Sequence, residues 1–293
     1  MTIVDKIVGL IRETSSSLPE DVEKAVKAAY RKEEKGSAAA TVLKTILDNC
    51  ALARREQTPL CQDTGTLTFF VDASLRRKVT PAVLKKAIAR ATELGYLRKN
   101  CIDSITGHSY DDNCAEGAPV VHYVDDPNPQ GAKRAGTVTL ILKGGGSENM
   151  SRQYSLPDST LGAGRDLAGV RKCILDAVQK TQGYGCAPGI LGVCIGGDRA
   201  TGYEVAKEQL LRPLDEKQPS AKHSGKQAIE LAKLERQLLD EANSLGIGPM
   251  GLGGKTTLLG LKLATRPRVP ASFFVTVAYM CWAARRRTLC VSE

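Results

Sequence analysis

The sequence predicts a mixed α/β fold (α+β in its segment order), with a helical N-terminal part packed on a two-lobed, mixed-sheet body. Three observations carry this. Apolar residues in the first sixty positions recur at helical spacing. From residue 66 the pattern changes to short β-rich runs, among them TLTFFVD, VVHYV, TVTLILK and GILGVCIGG. Helix-length stretches separate many of these runs, and that alternation excludes an all-α or all-β architecture. The 293 residues are 42% apolar, enough for a sizeable core, which 4% aromatic content leaves to Leu, Ile, Val and Ala. No repeat, low-complexity tract or flexible linker divides them. A single domain over 1–293 is therefore expected, with residues 1–58 as its helical lead-in.

Taken in order, Pro19 sits near the start of a helix in PEDVEKAVKAAYRKEEKG, with Ser17 as candidate cap and Gly36 past its end. A further helix crosses SAAATVLKTILDNCALARREQ, where Val42, Leu43, Ile46 and Leu47 form a stripe that Cys50 continues into the core. TLTFFVD (66–72) is a strand, and Thr80-Pro81 opens a helix running to about Leu97. VVHYV (120–124) and TVTLILK (137–143) are strands joined by a surface loop, DDPNPQGAKRAG. A helix over 165–182 leads into the glycine-ended strand GILGVCIGG. Helices near 200–211 and 224–245 and strands near 257–263 and 272–280 complete the series.

Composition removes several classes of function. The N-terminus carries Asp5, Lys6, Arg12 and Glu13 and lacks a signal-peptide apolar core. The long uncharged run Val269–Ala284 is too short to cross a bilayer, so a cytoplasmic protein is expected. Nine widely spaced cysteines, an odd number, do not suit a disulfide framework and read as reduced thiols. A net charge of +9 is spread along the chain without a basic, aromatic-interleaved stripe. It fits attraction of a small anion better than nucleic-acid binding, although a non-enzymatic anion- or nucleic-acid-binding protein stays as the alternative of another class.

GIGPMGLGGKTT (246–257) ends like a phosphate-binding loop. In G-x-x-x-x-G-K-[ST], however, the first glycine would fall on Pro249, and the β-rich TTLLGLKLAT that follows offers no helix N-terminus. That argues against ATP or GTP binding. Cys61, Cys186 and Cys281 stand at junctions between elements, in PLCQDTGT, GYGCAPGIL and AYMCWAARR. There are no close CxxC pairs for a zinc ribbon. Singly, each thiol is most simply a small buried hydrophobe. Together, three thiolates beside turns would suit three irons of a cubane cluster whose fourth iron is open to substrate. Taken by itself, Asp63 is most simply the Asx residue shaping the DTG turn.

CQDTGT (61–66), KGGGSENMSR (143–152), CAPGILGVCIGGD (186–198), LGIGPMGLGGKTTLLG (245–260) and YMCWAARR (279–286) occur in this order. The chain thereby resembles the α subunit, or N-terminal domain, of class I iron–sulfur fumarate hydratases, the family that also holds the L(+)-tartrate dehydratase α subunit. The resemblance runs from about residue 10 to the end. It implies a fumarase-type N-terminal fold, a 4Fe–4S cluster on Cys61, Cys186 and Cys281, and Asp63 as catalytic acid. It also implies Gln62, Arg98 and Gly146 at the substrate: a hydrogen-bond donor, a guanidinium clamp on a carboxylate, and a glycine amide. Ser147 and Asn149 are expected as supporting donors and Lys255 as a weaker candidate, with Cys194 and Cys290 as core or bystander thiols.

The implied reaction is reversible hydration of fumarate to (S)-malate, with L(+)-tartrate and mesaconate as alternative substrates. In the family the base for the carbon-bound proton, a threonine, lies in a C-terminal swivelling domain. That domain is expected to be absent here and supplied by a separate β subunit in an α2β2-type hetero-oligomer, leaving this chain inactive alone.

Overall fold

The computed structural model describes residues 1–125, 136–216 and 226–291. Its elements begin with α1 (Ile3–Ser16), α2 (Glu20–Lys32) and α3 (Ala38–Glu56), then β1 (Thr66–Asp72) and α4 (Pro81–Glu93). A short hairpin, β2 (Cys101–Ile102) and β3 (Ser109–Tyr110), precedes β4 (Val120–Val124), β5 (Gly136–Lys143), α5 (Gly145–Asn149) and β6 (Arg152–Ser155). Then come α6 (Leu167–Thr181), β7 (Gly189–Gly196), α7 (Arg199–Gln209), α8 (Lys226–Ser244), β8 (Leu258–Arg266), β9 (Phe274–Met280) and β10 (Arg285–Val291). This is the expected mixed α/β architecture. The loop expected over 125–136 and the start of the helix expected at 224 fall largely outside the described residues.

Local chemistry sets the boundaries. α1 starts at a capping box: the Asp5 N–H donates to Thr2 Oγ1 at 3.2 Å, and the Thr2 N–H donates to the Asp5 carboxylate at 2.8 Å. Ser17, expected to cap α2, instead closes α1 in extended conformation, and α2 begins after Pro19. α4 opens on Thr80, whose hydroxyl accepts from the Val83 N–H, with Pro81 in its first turn. It ends before the expected Leu97, because Gly95 turns the chain at φ +77°.

The chain divides into two compact units. The first comprises Met1–Pro19, Asp48–Gly145 and Ala283–Glu293. Its sheet runs β10-β5-β1-β4, with β1 and β4 parallel and the other pairs antiparallel. Leu67, Phe69 and Val71 of β1 alternate inward and bury with Ile7, Leu84, Ile88 and Leu140. The second unit comprises Glu20–Leu47 and Gly146–Trp282, built on a sheet ordered β6-β9-β7-β8 in which β7 and β8 are parallel. Every residue of β7 is buried, as a strand covered on both faces requires, and Leu191, Val193, Val275 and Val277 pack with Ile174 and Val178 of α6.

The helical residues 1–58 form no unit of their own: α1 belongs to the first, α2 to the second, and α3 contributes to both. Cys281 lies at the end of β9, which is not the last strand. β10 follows it, paired antiparallel to β5, and escaped the sequence pattern because it opens on three arginines, of which Arg285 and Arg286 are nevertheless buried.

Candidate functional site

In the first unit, Cys61, Gln62 and Asp63 form the turn between α3 and β1. The Asp63 N–H points at Cys61 Sγ, 3.5 Å away, closing the turn on the thiol. Both oxygens of the Asp63 carboxylate are held. Oδ2 accepts from the Gly145 N–H at 2.7 Å and Oδ1 from Asn100 Nδ2 at 3.0 Å. Its main-chain carbonyl accepts from Arg285 Nη2 at 2.8 Å. The glycines opposite are dictated by this fit. A Cβ on Gly144 would lie 2.8 Å from Asp63 Oδ2, and one on Gly65 would lie 2.5 Å from the Lys143 carbonyl. Asp63, Thr66, Asn100, Cys101, Asn113 and Gly145 line a cavity of about 400 Å³.

Arg98 is tied to the same turn although far from it in sequence. Its N–H donates to Thr64 Oγ1 at 2.9 Å, and that hydroxyl donates to the Arg98 carbonyl at 3.0 Å. Asn113, 2% exposed, fastens the segment from the other side. Its Oδ1 accepts from the N–H groups of Asn100 and Cys101, and its Nδ2 donates to the Arg98 carbonyl. Asn113 does so at φ +58°, a conformation asparagine tolerates better than most residues. The Arg98 and Gln62 residues themselves are exposed.

In the second unit, Cys186 and Cys281 are brought together. The Cys186 carbonyl accepts from the Trp282 N–H at 3.3 Å. The Cys281 N–H donates to the buried Ser147 hydroxyl at 3.1 Å, so Ser147 fixes the cysteine backbone. Cys186 is exposed and sits at φ +51°. Tyr279 lies beside both thiols: its phenol is pushed well above the ordinary tyrosine range by burial, then by the charges of Cys281 and Cys186. Gly146 and Asn149 are exposed, and nothing lies within 4 Å of a Cβ built on Gly146.

The thiols sort by environment. Cys194 is fully buried in β7, and burial pushes it up to about 11. Cys173, fully buried on α6, is pushed to about 12 for the same reason, and burial raises Cys114 to about 11. Such thiols stay protonated and are poor ligands. Cys290 is exposed on β10 opposite Thr137. Cys61, Cys186 and Cys281 reach solvent to some degree, and thiolates are the soft donors an iron–sulfur cluster takes. Cys61 belongs to the first unit and the other two to the second. Among the described residues, no group of three His, Cys, Asp or Glu side chains is gathered as a metal site.

The glycine loop is occupied by the chain itself. Glu33, 8% exposed, accepts from the N–H groups of Lys255 (2.9 Å) and Thr256 (3.1 Å), while the Lys255 residue is exposed. As expected, a strand, β8, follows the loop. Asn100, Asn113, Arg285 and Glu33 were not singled out in the sequence. Only Asn113 carried a local hint, an Asp-Asp-Asn turn.

A family model described as Fumarate hydratase (Fumerase) matches residues 4–290. "Putative fumarate hydratase class I" of Geobacillus stearothermophilus is 48% identical over 289 residues, covering 97% of this chain and 54% of that protein. The chain thus spans about half the length of that relative. "Putative L(+)-tartrate dehydratase subunit alpha" of Methanocaldococcus jannaschii is 34% identical over 292 residues, covering 98% of this chain and 96% of that protein. L(+)-tartrate dehydratase subunit alpha of Escherichia coli is 29% identical over 280 residues, covering 94% of this chain and 86% of that protein.

Proposed function

This chain belongs to the fumarate hydratase (Fumerase) family, and from that premise we propose that it is the cluster-bearing part of a hydro-lyase that adds water reversibly to fumarate, giving (S)-malate. The observation that carries the proposal is the mounting of Asp63: a carboxylate at the edge of a cavity, hydrogen-bonded at both oxygens and two residues from Cys61. In the hydration direction Asp63 takes the proton of the entering water, and in dehydration it returns that proton to the departing hydroxyl.

Arg98, anchored through Thr64, holds one substrate carboxylate in a guanidinium fork. Gln62 donates a hydrogen bond to the substrate, and the Gly146 amide is a further donor to it. Cys61, Cys186 and Cys281 would hold a 4Fe–4S cluster, which would supply Lewis-acid polarisation of the C–O bond.

The base for the carbon-bound proton comes from a partner subunit in a hetero-oligomer. Relatives named as alpha subunits support that assembly. Fumarate is preferred over L(+)-tartrate because the relative named for fumarate is 48% identical and those named for tartrate 34% and 29%. Mesaconate remains a substrate to be compared with them.

The test is anaerobic iron and acid-labile sulfide analysis of the assembled enzyme, followed by turnover of fumarate, mesaconate and L(+)-tartrate side by side. About four irons and four sulfides per chain, lost in Cys61→Ser, Cys186→Ser and Cys281→Ser, with fumarate hydrated fastest, is the expected result. A metal-free protein that still hydrates fumarate would overturn the cluster assignment, and faster tartrate turnover would overturn the substrate.

A further inference from the structure

Among the described residues Arg285 is the bulkiest side chain to be fully buried, 1% exposed in β10 at the register position facing Leu142. It forms one hydrogen bond through Nη2, to the carbonyl of Asp63, while Nε and Nη1 are buried without a hydrogen-bond partner among the described residues. A buried guanidinium used this sparingly is costly. An apolar side chain of similar volume commonly serves a core as well or better. What an apolar side chain cannot do is grip the main chain of residue 63.

We propose that Arg285 is a positioning residue for Asp63, an inference that rests on Asp63 being the proton-transfer group. The Asp63 carboxylate meets two donors on different segments, Gly145 at the start of α5 and Asn100 from the segment leading into β2. Both bonds hold only while the main chain of residue 63 keeps its place. Close by, the Thr64 side chain is engaged with Arg98, so a shift of the turn would also disturb the proposed carboxylate clamp. Arg285 fixes that turn by a charge-assisted bond from a strand, the stiffest kind of support available here.

The test is a double-mutant cycle in the complete assembled enzyme with Asp63→Asn, Arg285→Met, Arg285→Lys and the Asp63→Asn/Arg285→Met pair. Arg285→Met is expected to lower kcat on the order of 100-fold, the scale of a displacement near 1 Å, with KM changed far less. Arg285→Lys, which keeps the charge and one donor, recovers part of the loss. In the Asp63→Asn background Arg285→Met causes no further fall. An equal loss in both backgrounds, or wild-type kcat in Arg285→Met, overturns the proposal. If the Met variant does not fold, Arg285→Gln takes its place in the same cycle with the same two outcomes.

Hydrogen exchange of the Gly145 amide gives a readout independent of turnover. Exchange should quicken in the Arg285 variant as it does in Asp63→Ala, and unchanged exchange overturns the inference. Absence of hydratase turnover in the wild type would instead count against the proposed function, and the exchange measurement still decides the role of Arg285.

Discussion

At the scale of single residues, Asp63 is defined by what holds it. Replacing it with Asn keeps an acceptor for the Gly145 N–H but removes the carboxyl group that takes and returns the proton. Turnover should fall about 100- to 10,000-fold with the far-ultraviolet circular dichroism unchanged, and steady-state kinetics on the assembled enzyme checks this. The same scale separates the cysteines. Iodoacetamide at pH 8 should label Cys186 and Cys290, both exposed, and leave Cys173 and Cys194 silent, as peptide mapping would show. Burial raises the last two from an ordinary 9.0 to about 12 and about 11. The unfolded thiol therefore loses its proton first, and their contribution to stability is intact below pH 9 and falls as pH climbs towards 11 and 12. Denaturation midpoints measured across that interval should decline less in Cys194→Val. The turn CQDTG marked Cys61 and Asp63 in the sequence because its punctuation is local. Asn100 and Arg285 were illegible because their bonds to Asp63 join positions 37 and 222 residues apart.

At the scale of elements, the loop between α8 and β8 shows how a motif can mislead. GKTT resembles a phosphate cradle, and its amides do bind an anion, but the anion is Glu33 just past α2. Glu33→Ala strands the Lys255 and Thr256 amides, and Thr256 is buried. The expected loss is about 1–3 kcal/mol, read as a lower urea midpoint, and Glu33→Gln, which keeps an acceptor, should lose less. Spacing argued against a nucleotide but could not name the occupant, since the partner lies 222 residues away. Strands with alternating apolar residues were legible to within about three residues; the short β2, β3 and β6 were not expected, nor was β10, where Arg285, Arg286 and Arg287 mask the alternation.

At the scale of the whole molecule, the fold class was legible because periodicity changes where helices give way to sheet. The segments that make up each of the two units were not, because each is assembled from stretches widely separated in sequence, the first from Met1–Pro19, Asp48–Gly145 and Ala283–Glu293. Among the described residues no helix is long and apolar enough to cross a membrane. If the base comes from a partner subunit as proposed, this polypeptide reconstituted anaerobically with iron and sulfide but without that partner is expected to give no malate from fumarate. Adding the partner should restore turnover, and absorbance of the fumarate double bond follows both.

The backbone angle at Cys186 carries a consequence for engineering. An L-residue at φ +51° costs about 1–2 kcal/mol that glycine escapes. Cys186→Gly in the metal-free protein should therefore melt at a higher temperature than its parent, a gain obtained only by surrendering the sulfur atom. Breeding for heat resistance alone would favour discarding this sulfur.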